Sequence, residues 1–233
     1  MNSVVIIILG IIIVILIFVL YVYYNSSISP LIDYIALNET GQTSIPTKDV
    51  VNPLSTRFAY SIWIYVNTWK IPSNVEVIKS FFYRNKEVGL AFDKTKPILY
   101  CYFNNDKGGI DPNEPKNNII ISNNFPIQTW TNVILNVDNN YLDIYINGQL
   151  INSVILPQPY QPQSKESNTD IIIIGNSTDI YLANIKRWGV SINPQTAYYD
   201  YLNGLQKLPK DSSSYNFKLS LLKDNNLINS LKL

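Results

Sequence analysis

The sequence predicts an all-β sandwich that follows one N-terminal transmembrane helix. The helix is indicated by an apolar run, Val4–Tyr24, of about 21 residues without a single charged side chain. The sandwich is indicated by short runs of β-branched and aromatic residues from position 56 onward, with turn residues between them. One such turn is Asn147-Gly148, a strong hairpin signal because both residues tolerate a positive φ.

As a helix, the apolar run would be roughly 31 Å long, which matches the hydrocarbon thickness of a bilayer. Tyr21, Tyr23 and Tyr24 lie at its end, as in an interfacial aromatic belt. A cleaved signal peptide and a buried helix are the alternatives. The long core, the absence of a leading Lys or Arg and the lack of a small-x-small cleavage site favour an uncleaved anchor at residues 1–24. Its orientation is barely encoded, because few charges flank it.

Residues 25–52 are polar and without a strong period, so they are expected to form a stalk, with a first short strand at 31–37 as an option. Residues 53–233 are expected to form the domain. Its predicted strands lie at 58–66, 75–83, 88–92, 98–103, 118–122, 131–137, 141–146, 149–156, 170–175 and 180–187.

One short helix is expected near the C-terminus. Asn193 is placed to cap it, Pro194 suits the first turn and Gly204 is expected to stop it. A closing hairpin is expected at 215–233, with an amphipathic membrane-surface segment as the alternative for this tail.

Composition excludes several classes of function. The net charge of +1 and the scattered basic residues argue against nucleic-acid binding. The single cysteine, Cys101, cannot form an internal disulfide, and its apolar run favours a buried strand residue over a reactive thiol. The chain has no histidine, so the commonest general base and zinc ligand is absent. Asn makes up about one residue in eight, a usage typical of AT-rich genomes such as those of protists and large DNA viruses.

The apolar positions of the domain alternate as in half-buried strands. Ile144 and Ile146 share one face of the run 141–146, which is therefore expected to face a core. Trp63 and Trp130 are expected to pack in that core rather than to contact a ligand.

Four motifs follow one another along the domain: Phe58-x-x-Ser61-x-Trp63-Ile64, Gln128-x-Trp130-x-Asn132-Val133, Leu142-Asp-Ile-Tyr145-Ile-Asn147-Gly148 and Ile180-x-x-Ala183-Asn184-Ile185. In order and spacing they resemble the concanavalin A-like lectin/glucanase superfamily, especially its laminin-G-like and pentraxin-like branches. The resemblance covers roughly residues 56–204 and implies a jelly-roll sandwich of two antiparallel sheets. Similar domains occur in large DNA viruses behind a membrane anchor, which implies a virion or host-membrane location.

The glycanases of this superfamily carry two or three carboxylates on one strand, which together cleave a glycosidic bond. In this sequence Glu76 is alone in its predicted strand, and Glu87 begins the next turn. The absence of histidine also excludes a Ser-His-Asp triad. The chain is therefore not expected to be an enzyme.

Laminin-G-like and pentraxin-like domains often bind calcium, so the resemblance makes calcium the one cofactor to consider. Asn104, Asp106 and Asp111 share a long loop and supply oxygen ligands, although solvated loop polarity explains them equally.

A glycan site would need aromatic platforms beside polar groups. Trp69, Tyr83, Tyr102 and Tyr160 lie near predicted strand ends and are the candidates, with core or surface packing as the alternative.

The sequence leaves three candidate functions. The first is a membrane-anchored, non-catalytic binding module that recognises a glycan or a protein. The second is a structural protein of a virion or membrane that packs against neighbouring proteins. A glycoside hydrolase is the least favoured.

Overall fold

The computed structural model describes residues 3–69, 79–84, 88–93, 95–103, 118–156, 170–174, 179–208, 218–223 and 226–232. The chain begins with helix α1 (Ser3–Ser26), and its apolar stretch Val5–Val22 is not buried against the rest of the protein. By length and composition this helix is able to cross a membrane, a property that signal sequences share.

The predicted all-β architecture is confirmed: two six-stranded antiparallel sheets stack as a jelly-roll sandwich. In spatial order, the first sheet contains β1 (Ile28–Ala36), β12 (Ile180–Trp188), β3 (Arg57–Val66), β8 (Thr131–Asp138), β9 (Tyr141–Ile146) and β10 (Gln149–Ile155). The second contains β2 (Gln42–Ile45), β11 (Ile171–Ile174), β4 (Lys79–Arg84), β5 (Val88–Phe92), β6 (Leu99–Tyr102) and β7 (Asn118–Ser122). A separate hairpin, β13 (Lys218–Lys223) and β14 (Asn226–Lys232), lies in the tail where a closing hairpin is predicted.

Residues 25–52, predicted as a stalk with a first short strand at 31–37 as an option, supply a strand to each sheet: β1 overlaps the optional strand, and β2 was not predicted. Strand β1 pairs with β12, strand β2 pairs with β11, and a short 3-10 helix follows at Thr47–Asp49. Three apolar residues of this region, Ile35, Leu37 and Val50, are buried in the core. Their burial explains why the segment folds with the domain rather than as a free linker. The folded domain therefore begins two residues after α1 ends.

Strand β3 shows how side-chain alternation builds the core. Its residues at even positions from Phe58 to Val66 point between the sheets and pack in the main core. The odd positions 59 to 65 therefore point to the outer face of the first sheet. Ile144 is fully buried in the same core, and Ile146 is partly buried against it.

Helix α2 (Pro194–Leu205) covers part of that outer face. Asn193 caps it, because its side-chain oxygen accepts a hydrogen bond from the Thr196 N–H at 2.8 Å. Trp63 is fully buried beneath this helix, with the Tyr201 ring stacked on its indole at 5.6 Å. Gly204 lies inside the last turn instead of stopping the helix, and a β-carbon there would lie only 2.8 Å from Trp63 Cε2. This glycine thus serves close packing rather than termination.

The turn between β9 and β10 has the left-handed backbone that its sequence predicts. The φ angles are 49° at Asn147 and 74° at Gly148. The Asn147 side-chain oxygen accepts a hydrogen bond from the Asn132 N–H at 2.9 Å, and α2 packs closely on Gly148.

Candidate functional site

Four aromatic side chains lie in a row across the outer face of the first sheet, beyond the area that α2 covers. We call this row the aromatic ladder: Tyr34, Tyr181, Tyr65 and Trp130. The ring centroids of Tyr34 and Tyr181 are 6.2 Å apart and nearly parallel, and those of Tyr181 and Tyr65 are 6.0 Å apart and edge-on. The Tyr65 and Trp130 rings are 5.3 Å apart. The sheet thus carries a continuous aromatic surface four strands wide.

The pairing of β1 and β12 positions the ladder. Tyr181 lies opposite Ala36 on one side and Tyr65 on the other, while Tyr34 lies opposite Ala183. Because alanine is small, each tyrosine ring has room to lean toward its neighbour. Tyr34 is 48% exposed, and the other three rings are half-buried. The ladder is therefore open to solvent while its rings remain packed on one another.

The structure places Trp130 in this ladder rather than in the core that the sequence predicts. Val133, Leu135 and Val137 of β8 point into the main core, so Trp130, at the alternate position, points outward. Trp63 also points outward, but α2 covers it.

A cluster of amide, hydroxyl and carboxylate groups borders the ladder at the end of β12. The Asp179 carboxylate accepts hydrogen bonds from Asn67 Nδ2 at 2.7 Å, Thr68 Oγ1 at 2.8 Å and Asn38 Nδ2 at 3.5 Å. Glu39 is exposed beside them. These groups form a polar border that is held in place by its own hydrogen bonds.

The tyrosine hydroxyls at this border stay protonated at neutral pH. Burial raises the pKa of Tyr34, and the neighbouring Tyr181 and Glu39 raise it further. Burial also raises the pKa of Tyr181; a hydrogen bond from Asn38 acts in the opposite direction, whereas Asp179 and Glu39 add to the rise. Both hydroxyls therefore remain protonated, and that of Tyr181 is hydrogen-bonded to Asn38 and Asp179 within the polar border.

The candidates Tyr83 and Tyr102 lie together on the other sheet. They share a row with Gly89, which pairs with both, on the outer face of the second sheet. Tyr102 is only 3% exposed: its ring lies over Gly89 and its hydroxyl hydrogen-bonds with Ser80 Oγ. Tyr102 thus packs within the domain and offers a ligand almost no surface.

The remaining candidates are not brought to the ladder. Trp69 packs edge-on against Phe92 at 5.4 Å, at the margin of the main core. Tyr160 and the calcium candidates Asn104, Asp106 and Asp111 lie outside the described residues. In the part of the chain that the structure describes, no three His, Cys, Asp or Glu side chains gather to hold a metal ion.

Fold and site together define a class, a two-sheet jelly roll with an aromatic and amide-lined surface on one sheet. The chain belongs to the concanavalin A-like lectin/glucanases superfamily, because a laminin G-type family model matches residues 38–209. The superfamily predicted from the sequence is thereby confirmed. No curated protein is similar enough in sequence to count as a relative.

Solved structures share the fold at low sequence identity. The binding domain of Paraclostridial Mosquitocidal Protein 1 has a TM-score of 0.56 and 16% identity, over 80% of this chain and 48% of that chain. The binding domain of botulinum neurotoxin serotype D has a TM-score of 0.54 and 13% identity, over 73% and 43%. That of botulinum neurotoxin DC, in complex with rat synaptotagmin II, has 0.52 and 13%, over 76% and 46%. The chain thus spans less than half the length of each.

Proposed function

We propose that this protein is a membrane-tethered, non-catalytic binding module whose aromatic ladder contacts a glycan. The observation that carries the proposal is the ladder itself, with its polar border. A pyranose ring presents C–H groups on its faces and hydroxyls around its rim. The ladder offers flat aromatic faces to the C–H groups, and Asn38, Asn67 and Glu39 lie beside it as hydrogen-bond partners for the hydroxyls.

The length of the ladder favours an extended ligand over a single sugar. Its four rings are linked by centroid distances of 5.3–6.2 Å. A chain of two or three sugar residues could therefore contact several rings at once, each contact contributing about 0.5–1.5 kcal/mol. The polar border runs alongside the row at the adjoining ends of β1, β12 and β3, where it would orient the chain.

A non-catalytic role is supported by how the acidic groups are used. Asp179 accepts hydrogen bonds from three side chains, which engages its carboxylate in holding the border. Known binding domains with the same fold agree with this role. The absence of turnover in assays with bound glycans would be its direct test.

The tether is proposed from α1, whose apolar stretch is unburied and long enough to span a bilayer. Carbonate extraction of membranes expressing the full chain tests it. An anchored chain stays in the pellet, and N-terminal sequencing distinguishes it from a cleaved signal peptide. A virion or host-membrane location stays a prediction from the sequence.

A glycan array probed with the full chain in detergent micelles tests the ligand. Tyr65→Ala and Trp130→Ala are each expected to weaken binding roughly 2–12-fold, from about 0.5–1.5 kcal/mol per aromatic contact. Tyr199→Ala is the matched control, since Tyr199 is 54% exposed on α2 and outside the ladder. Equal loss in all three variants, or no binding to any glycan, would contradict the proposal.

A structural or protein-binding role is the second candidate, and a different surface favours it. Among the described strands, β10 lies at the edge of the first sheet, with Leu150 50% and Ile151 47% exposed. Tyr198 and Leu202 of α2 are exposed as well. Apolar groups on an edge strand favour packing against another protein. Cross-linking in the native membrane through a residue at position 150 would identify such a neighbour.

A further inference from the structure

The link between α1 and the sandwich is too short to hold the domain away from a bilayer. Helix α1 continues four residues beyond its apolar stretch, from Val22 to Ser26, a rise of about 6 Å. Strand β1 begins two residues later, at Ile28, within about 8 Å of the helix end. The polar headgroup layer of one leaflet is itself roughly 5–8 Å thick. The end of the sandwich where β1 begins therefore lies within about 14 Å of the apolar stretch, at the headgroup layer or directly outside it, when α1 spans the membrane.

Hydrogen bonds identify which loops share that end. The Gly189 N–H donates to the Ser27 carbonyl oxygen at 2.8 Å, which fixes the β12–α2 connection beside the exit of α1. The Ser191 hydroxyl reaches the Asp138 carboxylate at 3.3 Å, linking that connection to the β8–β9 turn. Asp138 in turn lies opposite Tyr141.

Three large apolar side chains are exposed at the start of β9, at the end of β10 and on the β12–α2 connection, and we call them the proximal rim: Tyr141 (51% exposed), Ile155 (67%) and Val190 (39%). Tyr141 and Ile155 are direct cross-strand partners, so they form one patch. The nearby charges Arg57 and Asp138 neutralise each other in an ion pair of 2.7 Å. The patch therefore offers apolar and aromatic surface without a net charge to repel it from lipid.

We propose that the proximal rim inserts into the headgroup and upper acyl region of the bilayer, so that the sandwich rests on the membrane instead of moving freely above it. This inference depends on the tether proposed above. The occupant is lipid because α1 brings the bilayer to this end of the fold and to no other. A tyrosine beside two aliphatic residues is the composition that favours the membrane interface. The ladder begins at Tyr34, six residues along β1 from Ile28, or about 20 Å from the end of the sandwich that α1 enters, and so stays in water.

The experiment uses the full chain reconstituted in vesicles, with an environment-sensitive fluorophore on single introduced cysteines. Ile155→Cys and Leu150→Cys are a matched pair, because both residues are exposed, aliphatic and on β10. They lie about 17 Å apart along that strand. Val190→Cys is a second rim site. The native Cys101 is fully buried and its thiol pKa is raised by that burial, so the unmodified chain reports the low background labelling.

Labels at positions 155 and 190 are expected to emit at shorter wavelength in vesicles than the label at position 150 and to be quenched by nitroxide-bearing lipids. The label at position 150 is expected to keep its water-like emission. The inference would be overturned if the rim labels keep a water-like emission. It would also be overturned if they are shielded from water but not quenched by the lipid nitroxide, because that result would indicate contact with protein. Flotation is measured on the same samples. A chain that does not float with the vesicles overturns the tether, whereas a floating chain with water-like rim labels overturns only the insertion of the rim.

Discussion

Replacing Gly204 with alanine tests how tightly α2 is seated on the first sheet. In an exposed helix this change stabilises by about 1 kcal/mol, because glycine loses more backbone entropy than alanine on folding. Here the new β-carbon would lie 2.8 Å from Trp63 Cε2 and 3.0 Å from Cζ2, and still closer to Nε1. The indole cannot yield, since it is fully buried and the Tyr201 ring stacks on it. The last turn of α2 must therefore lift away.

Forced overpacking of this kind costs about 1–3 kcal/mol. After subtracting the helix-propensity gain, we expect a net loss of roughly 0–2 kcal/mol, or up to about 8 °C in melting temperature for a domain of this size. The midpoint of thermal or urea unfolding measures it. Gly41→Ala is the control, because a β-carbon at 41 meets nothing within 4 Å. A Gly204→Ala variant more stable than the unmodified protein would refute the close packing of α2 on Trp63.

Three further predictions concern packing and charge. Gly89→Ala is expected to destabilise by about 1–3 kcal/mol in urea unfolding, because its β-carbon would overlap the Tyr102 ring; an unchanged midpoint would count against that packing. Asp200→Ala should lower the free energy of unfolding by about 1–3 kcal/mol, because the Lys186 ammonium would lose its buried partner. Adding Lys186→Met to the same chain should recover most of this stability, and no recovery would contradict the ion pair as the cause. Burial alone would raise the pKa of Asp93, but hydrogen bonds from the following loop lower this pKa overall. The stabilising effect of the carboxylate is therefore present above about pH 4 and is lost as the pH falls further. Asp93→Asn should make stability less dependent on pH in this acid range, and an acid-unfolding profile identical to that of the unmodified protein would exclude the contribution of Asp93.

The sandwich was predictable because its central strands carry the signal locally. The run 58–66 alternates between core and outer face without interruption. The two strands that flank β3, β8 and β12, also carry apolar residues on the face that points to the core. The cap at Asn193 is also local, because it bonds to Thr196, and the turn at Asn147-Gly148 is predictable because these two residue types tolerate a positive φ.

Strands β1 and β2 were not predictable in the same way. Pro30 interrupts the pattern of β1, and a register shift in its pairing with β12 follows directly. Strand β2 has four residues, none of them fully buried, so its own sequence carries little hydrophobic signal. Both strands form because β12 and β11, more than 100 residues later in the chain, present partners for their backbone groups. The local pattern therefore offered only the optional strand at 31–37, which overlaps β1, and gave no sign of β2.

The ladder was missed for a related reason. Trp63 and Trp130 are equally hydrophobic in sequence, and both point to the outer face of the first sheet. What distinguishes them is their covering: α2 packs on Trp63, which is fully buried, whereas Trp130 is only half-buried. The tyrosines that complete the ladder come from β1, β3 and β12 and meet only through strand register. The alternation of side chains along the strand was the one available clue. Trp130, which directly precedes β8, lies an odd number of positions before Val133 and Leu135 and so points to the opposite face of the sheet.

The two proposed surfaces lie at opposite ends of the first sheet, and this arrangement has a mechanical consequence. The ladder begins about 20 Å along β1 from the point where α1 enters, so a ligand can reach it without meeting the bilayer. With a long stalk, the domain would sample many orientations, and binding to a ligand on a facing surface would lose the entropy of all but one of them. With the single residue Ser27 as the link and with the proposed insertion of the rim, the membrane would already restrict the orientation of the domain. Lengthening the link after Ser26 with a flexible Gly/Ser segment should therefore weaken binding to a surface-bound glycan while leaving binding to the same glycan in solution unchanged. Equal affinity of the two chains for the surface-bound form would show that the short link plays no part in recognition.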